Sequence, residues 1–175
     1  PGAVVGIDVV DEMIHACKEN FIEAEKLNSW FRTEFVELRK GDALHLPVSD
    51  NSIDVAAQNC LFNIFKHDEL TQAFKEMYRV LKPHGRLVLS DPTCESEMPE
   101  SLCNEYRLRA LCLSGSLPLQ KYIHMITYIG FGPVEIRAKM AYGILDPGNY
   151  KTDKRSYYES FEVCRVKDKM PRRGP

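Results

Sequence analysis

Neither a C-x-x-C nor an H-x-x-H occurs in the 175 residues, and the six cysteines, at 17, 60, 94, 103, 112 and 164, are widely separated. That spacing excludes zinc-finger and thioredoxin-type pairs. The cysteine count also falls well below the roughly 8–10% of a disulfide-stapled scaffold, so free thiols are expected. If Cys103 and Cys112 shared one straight helix, nine steps of about 100° would put them on opposite faces. Any soft-ligand site therefore has to be assembled from separate segments. No apolar run approaches the roughly 20 residues that cross a bilayer, so no membrane partner is expected and the location expected is the cytoplasm. Charge of one sign is lacking too: 23 Lys and Arg stand against 25 Asp and Glu, a net −2. There is no summed positive field to hold nucleic acid, and a small neutral or soft partner is expected. The chain opens Pro1-Gly2 without methionine, and its only early glycines are Gly2 and Gly6. Its beginning is expected to lie upstream.

What the chain does have, 44% hydrophobic and 27% charged residues without low-complexity tracts or repeats, suffices for a folded core. Val4 to Asp8 reads as a strand. Asp11 offers a helix N-cap, and Met13, Ile14, Cys17, Phe21 and Ala24 recur at helical spacing. Phe35 to Leu38 and Ile53 to Gln58 read as further strands. Asp68 to Leu81 reads as a helix ended by Lys82-Pro83-His84-Gly85, and Arg86 to Ser90 as a fourth strand closed by Asp91-Pro92. Strands alternating with helices indicate an α/β fold, with a parallel sheet covered on both faces. Beyond Asp91 the pattern predicts a helix around Pro99 to Leu111, a Cys-Leu-Ser-Gly-Ser turn, and a helix from Pro118 at its first position to Gly130. Extended segments follow at Val134 to Tyr142 and Tyr157 to Val166, separated by Asp146-Pro147-Gly148-Asn149.

In doubly wound sheets, ligands sit at the carboxyl ends of the strands. Asp8 ends the first strand and can accept hydrogen bonds from ribose hydroxyls, or else cap the next helix. Asp42 follows the second strand and can meet an adenine amino group. Met13 suits either an adenine ring or the core. Around these residues, Gly6-Ile7-Asp8-Val9-Val10-Asp11-Glu12-Met13, Lys40-Gly41-Asp42-Ala43-Leu44-His45-Leu46-Pro47, Asn51-Ser52-Ile53-Asp54-Val55 and Tyr78-Arg79-Val80-Leu81-Lys82-Pro83-His84-Gly85 resemble successive motifs of class I S-adenosylmethionine-dependent methyltransferases. The resemblance implies a Rossmann-like sheet in the order 3-2-1-4-5-7-6 with helices on both faces. The first strand and its Gly-rich loop are missing from this chain. It further implies a partial methyltransferase domain over 1–166, a tail or linker over 167–175, and cofactor contacts from Asp8, Met13, Asp42, Ala43 and Asn59. Without the central strand both of its neighbours are left with unpaired backbone groups, and weak or no cofactor binding is expected of these residues alone.

Two segments narrow the methyl acceptor. Gln58-Asn59-Cys60-Leu61-Phe62-Asn63-Ile64 resembles the Asn-Cys-x-x-Asn-Leu segment of arsenite methyltransferases, and Cys112-Leu113-Ser114-Gly115-Ser116-Leu117 their Cys-x-x-Gly-Ala segment. That family's two cysteines are arsenic ligands. The resemblance thus implies that Cys60 and Cys112 hold arsenic(III) and carry the catalysis, and that a third cysteine lies upstream. It also implies arsenite or methylated trivalent arsenicals, as thiol conjugates, for substrates, S-adenosyl-L-methionine and a thiol reductant as co-reactants, and a monomer. Ser160 to Cys164 and the basic end resemble the methyltransferases of arsenosugar biosynthesis. The chemistry agrees: trivalent arsenic is soft and selects thiolates, and its lone pair needs alignment more than a general base. No His or carboxylate stands beside Asn59-Cys60 in sequence. Cys94, Cys103 and Cys164 match no motif and are expected to be core or surface thiols. Two alternatives stay open: a methyltransferase acting on carbon or oxygen, such as a quinone ring, and a non-catalytic module binding arsenic or S-adenosylmethionine.

Overall fold

The computed structural model describes residues 2–145 and 156–166, the latter and residues 144–145 mostly as backbone. The loop predicted at Asp146 to Asn149 and the tail from Lys167 lie outside the described residues. The chain divides into two compact units, Pro1–Ser49 and Asp50–Pro175.

In the first unit β1 (Val4–Asp8) is followed by α1 (Asp11–Leu27) and β2 (Val36–Lys40). The two strands pair in parallel from Val4↔Val36 to Asp8↔Lys40. Gly41 ends β2 because nothing larger fits: a Cβ there would lie 2.5 Å from the ring of Pro47 and 3.1 Å from Ile7. The N-cap of α1 is Val10, not Asp11. Asp11 instead makes an ion pair with Lys40, while the carboxylate of Asp8 takes the Val10 N–H at 2.9 Å. Ile14, Cys17, Phe21 and Ala24 form the half-buried stripe of α1. Phe21 packs on Phe31 with ring centroids 5.8 Å apart.

The second unit is built on a mixed sheet in the order β3-β4-β6-β5: β3 (Ile53–Asn59), β4 (Leu81–Cys94), β5 (Glu135–Leu145) and β6 (Ser156–Val166). Only β3 and β4 run parallel; β6 lies antiparallel to both β4 and β5. Among the described residues β1 pairs on one edge, with β2, and β3 on one edge, with β4. The strand predicted to close at Asp91-Pro92 runs on to Cys94. Pairing with β3 ends at Asn59↔Ser90, whereas β6 continues opposite Pro92 and Cys94. A proline lacks a donor and is tolerated where one edge is open.

Helix α2 (His67–Val80) and helix α5 (Leu119–Ile129) pack together. Leu70, Ala73, Phe74 and Val80 meet Leu81, Leu87, Leu89 and Tyr122 in the core, each of them at most 2% exposed. Phe74 stands edge-on to Phe62 at 4.8 Å and to Tyr122 at 5.4 Å, geometry that adds to the area buried. The helix expected over Pro99 to Leu111 is broken into α3 (Glu100–Cys103) and α4 (Tyr106–Ala110). Pro118 caps α5 rather than opening it, and Gly130 ends it at φ 118°. Leu102, Leu108 and Leu113 form a smaller core with Cys94 and Tyr158. Phe74→Ala should cost about 3–5 kcal/mol, read as a fall in the denaturant midpoint at unchanged slope. A loss under 1 kcal/mol would show the aromatic stack to be dispensable.

Candidate functional site

The two cysteines singled out in sequence are brought together. Cys60 follows the carboxyl end of β3, and Cys112 follows α4. Across 52 positions of sequence the thiol of Cys112 donates to the carbonyl oxygen of Cys60 at 2.8 Å. Both residues are half-buried, and both take left-handed backbone, with φ 57° at Cys60 and 56° at Cys112. For a residue with a Cβ this conformation costs about 1–2 kcal/mol, and such strain gathers at functional sites.

Local bonding shows how the strain is held. Cys112 sits where a helix usually ends in glycine. Its N–H donates to Arg109 O at 2.9 Å and that of Leu113 to Leu108 O at 2.8 Å, the paired bonds of a Schellman cap. At Cys60 the N–H reaches Ser90 O at 2.8 Å, and the Gln58 side chain accepts the Leu61 N–H at 3.0 Å. The two loops are joined by Asn63, which is fully buried. Its amide reaches the carbonyls of Pro92 at 2.7 Å and Cys112 at 3.0 Å and the Ser116 hydroxyl at 3.2 Å. Gly115 permits this approach, since a Cβ there would stand 2.1 Å from the Asn63 carbonyl oxygen. The spacings in Asn-Cys-x-x-Asn and Cys-x-x-Gly-Ser thus have a joint geometric cause.

Sequence reasoning missed two groups around this pair. Tyr142, from β5, brings its hydroxyl to 3.9 Å from Cys60 Sγ. Asp91, far from Cys60 in sequence, does put a carboxylate beside the cysteine loop: Gln58 and Tyr122 both donate to its Oδ2. It is fully buried and so does not face a substrate as a base. Only the alternation of β4 could have hinted at an inward Asp91, and nothing local hinted at Tyr142. Burial pushes Asp91 up to about 6, against the smaller opposite effects of the Tyr122, Gln58 and Phe62 hydrogen bonds. Burial, then the neighbouring charge and hydrogen bond of Cys60, push the Cys112 thiol up to about 11. Its proton therefore stays on sulfur at neutral pH, as the bond to the Cys60 carbonyl requires.

Among the candidate cofactor residues, Asp8 and Asp42 lie at the carboxyl ends of the paired β1 and β2. Gly41 N–H, one residue before Asp42, donates to Asp8 O at 2.9 Å. One oxygen of Asp8 is held by Val10 N–H and one of Asp42 by Leu44 N–H. The other oxygen of each has no hydrogen bond among the described residues, which fits an acceptor of hydroxyl or amino donors. Met13 is 52% exposed. Ala43 is half-buried, and Asn59 is exposed at the end of β3 in the second unit.

The methyltransferase-domain family matches residues 2–89. The chain belongs to that family. An arsenite methyltransferase of Halobacterium salinarum is 33% identical over 138 residues, 79% of this chain and 33% of that protein. A demethylmenaquinone methyltransferase of Listeria monocytogenes is 36% identical over 98 residues, 56% of this chain and 37% of that protein. The chain thus spans about a third of the length of these curated relatives. Among solved structures, an arsenic(III) S-adenosylmethionine methyltransferase of Chlamydomonas reinhardtii superposes with a TM-score of 0.76 at 20% identity, over 98% of this chain and 56% of that one. The fold is that of class I S-adenosylmethionine-dependent methyltransferases. No helix among the described residues is long and apolar enough to cross a membrane.

Two outcomes follow from the strain and the buried acid. Cys112→Gly should be more stable than Cys112→Ala by about 1 kcal/mol; equal midpoints would show that the left-handed cap is unstrained. Asp91, held above its ordinary value, binds its proton more tightly folded than unfolded. Its contribution is therefore fully present below about pH 4 and is lost as pH rises through about 6, a fall of up to about 3 kcal/mol. Asp91→Asn should abolish that fall in unfolding measured from pH 4 to 7.

Proposed function

We propose that the protein containing this chain transfers methyl groups from S-adenosylmethionine to trivalent arsenic held by the thiolates of Cys60 and Cys112. The observation that carries this reading is the approach of the Cys112 thiol to the Cys60 carbonyl, two motif cysteines converging from separate segments on one half-buried spot. The arsenite methyltransferase among the relatives supports it.

Asp8, Met13, Asp42 and Ala43 of the first unit would contact the donor. S-adenosylmethionine, when bound, supplies a methyl group on a sulfonium sulfur. The chain's own part is capture of the acceptor. Each thiol replaces one hydroxide on arsenic: an As–S bond forms, an As–OH bond breaks, and the thiol proton leaves with the hydroxide as water. Arsenic keeps its oxidation state and its lone pair, the nucleophile for the methyl carbon. Because the proton departs as water, the raised Cys112 thiol needs no separate base. A thiol reductant would keep both cysteines free, in keeping with a cytoplasmic, monomeric enzyme.

The Listeria relative, named for a quinone ring, supports a second reading, methyl transfer to carbon. The whole protein, given S-adenosylmethionine, a thiol reductant and arsenite, should release methylated arsenicals. Cys60→Ser and Cys112→Ser should each reduce that to background in product chromatography. Undiminished arsenic turnover in both variants, or methylation of a demethylmenaquinone analogue with none of arsenite, would overturn the assignment.

A further inference from the structure

Tyr142 has a placement that strand alternation does not produce. β5 pairs Ala141 with Glu159 and Gly143 with Tyr158, so Tyr142 is the extra residue of a β-bulge. A bulge re-aims the side chain it carries and is common beside active sites. Here it sends the phenol to the thiol pair. The hydroxyl lies 3.9 Å from Cys60 Sγ and donates to the carbonyl of Leu111, the residue before Cys112, at 3.2 Å. One oxygen therefore bridges both cysteine segments, from a strand 82 positions away from Cys60.

A phenol has one proton to give. While Cys60 carries its own proton, the phenol's is spent on Leu111, and the phenol oxygen can accept from the thiol. Once that sulfur has lost its proton to departing water it can only accept, and the phenol can turn its O–H onto it. Leu111 is 52% exposed, so water can replace the phenol at its carbonyl.

The geometry points to Tyr142 as a positioning residue of the thiol pair: its hydroxyl holds the Cys60 sulfur against the Cys112 segment and hydrogen-bonds that sulfur in the arsenic-bound state. This rests on the reading of Cys60 and Cys112 as arsenic ligands. The competing account is that the ring merely packs over the loops, in which case phenylalanine serves equally well.

The test uses phenylarsine oxide, which bridges paired thiols, titrated calorimetrically into the whole protein and into its Tyr142→Phe and Tyr142→Leu variants, with thermal unfolding in parallel. Loss of the hydrogen bond to the arsenic-bound sulfur should weaken binding severalfold, up to about tenfold, in both variants, with the unfolding midpoint of Tyr142→Phe unchanged. Wild-type affinity in Tyr142→Phe would overturn the proposal. Binding that survives both Cys60→Ser and Cys112→Ser would instead sink the arsenic reading. The tyrosine is then decided by the iodoacetamide alkylation rate of Cys60 at one pH, with the half-buried Cys17 as internal reference. A rate altered severalfold in Tyr142→Phe supports the contact, and an unaltered rate refutes it.

Discussion

The buried amide of Asn63 is the constraint on which the cysteine site depends. It touches the carbonyls of Pro92 and Cys112 and the hydroxyl of Ser116, linking the end of β4 to the loop that follows α4. A buried amide left without these acceptors would cost about 1–3 kcal/mol, so the three segments are fixed together or not at all. Gly115 lets the loop come close enough, and the Schellman bonds after α4 fix the direction in which Cys112 leaves the helix. The meeting of two thiols is a by-product of satisfying one amide and one helix end.

The site also carries costs that packing alone does not explain. Cys112 takes a backbone conformation that glycine would adopt freely, and Asp91 is buried at the expense of its ionised form. Natural sequences accept such local conflicts where function requires them and offset them elsewhere. Here the offset is the well-packed aromatic stack of Phe62, Phe74 and Tyr122 directly beneath. Tyr122 serves both layers, since its ring closes the stack while its hydroxyl donates to Asp91. The first unit is different in kind. It contains no fully buried residue among those described, and it presents two carboxylates at the ends of a parallel strand pair.

Much of this was legible in the residues. The alternation of strands and helices up to Ser90 was readable because apolar periodicity there agrees with local turn chemistry, as at Gly41-Asp42. The cysteine pair was readable only through motif resemblance. The break between α3 and α4 was not, since the apolar positions of Leu102 and Leu108 suit one helix as well as two. The run of β4 through Pro92 was hidden because a proline reads as a stop until its neighbour on one edge is known to be absent.

By itself the sequence determined the fold class, the acids at the strand ends and the identity of the two candidate thiols. The first two depend on periodicity and residue type, and the thiols on motif resemblance; all are local properties of the chain. Only the tertiary structure decided what stands around Cys60. The inward carboxylate of Asp91, the amide link of Asn63 and the bulge that turns Tyr142 toward sulfur arise from registers between strands and loops distant in sequence. A one-residue slip in such a register sends a side chain to the opposite face, and no spacing along the chain encodes it.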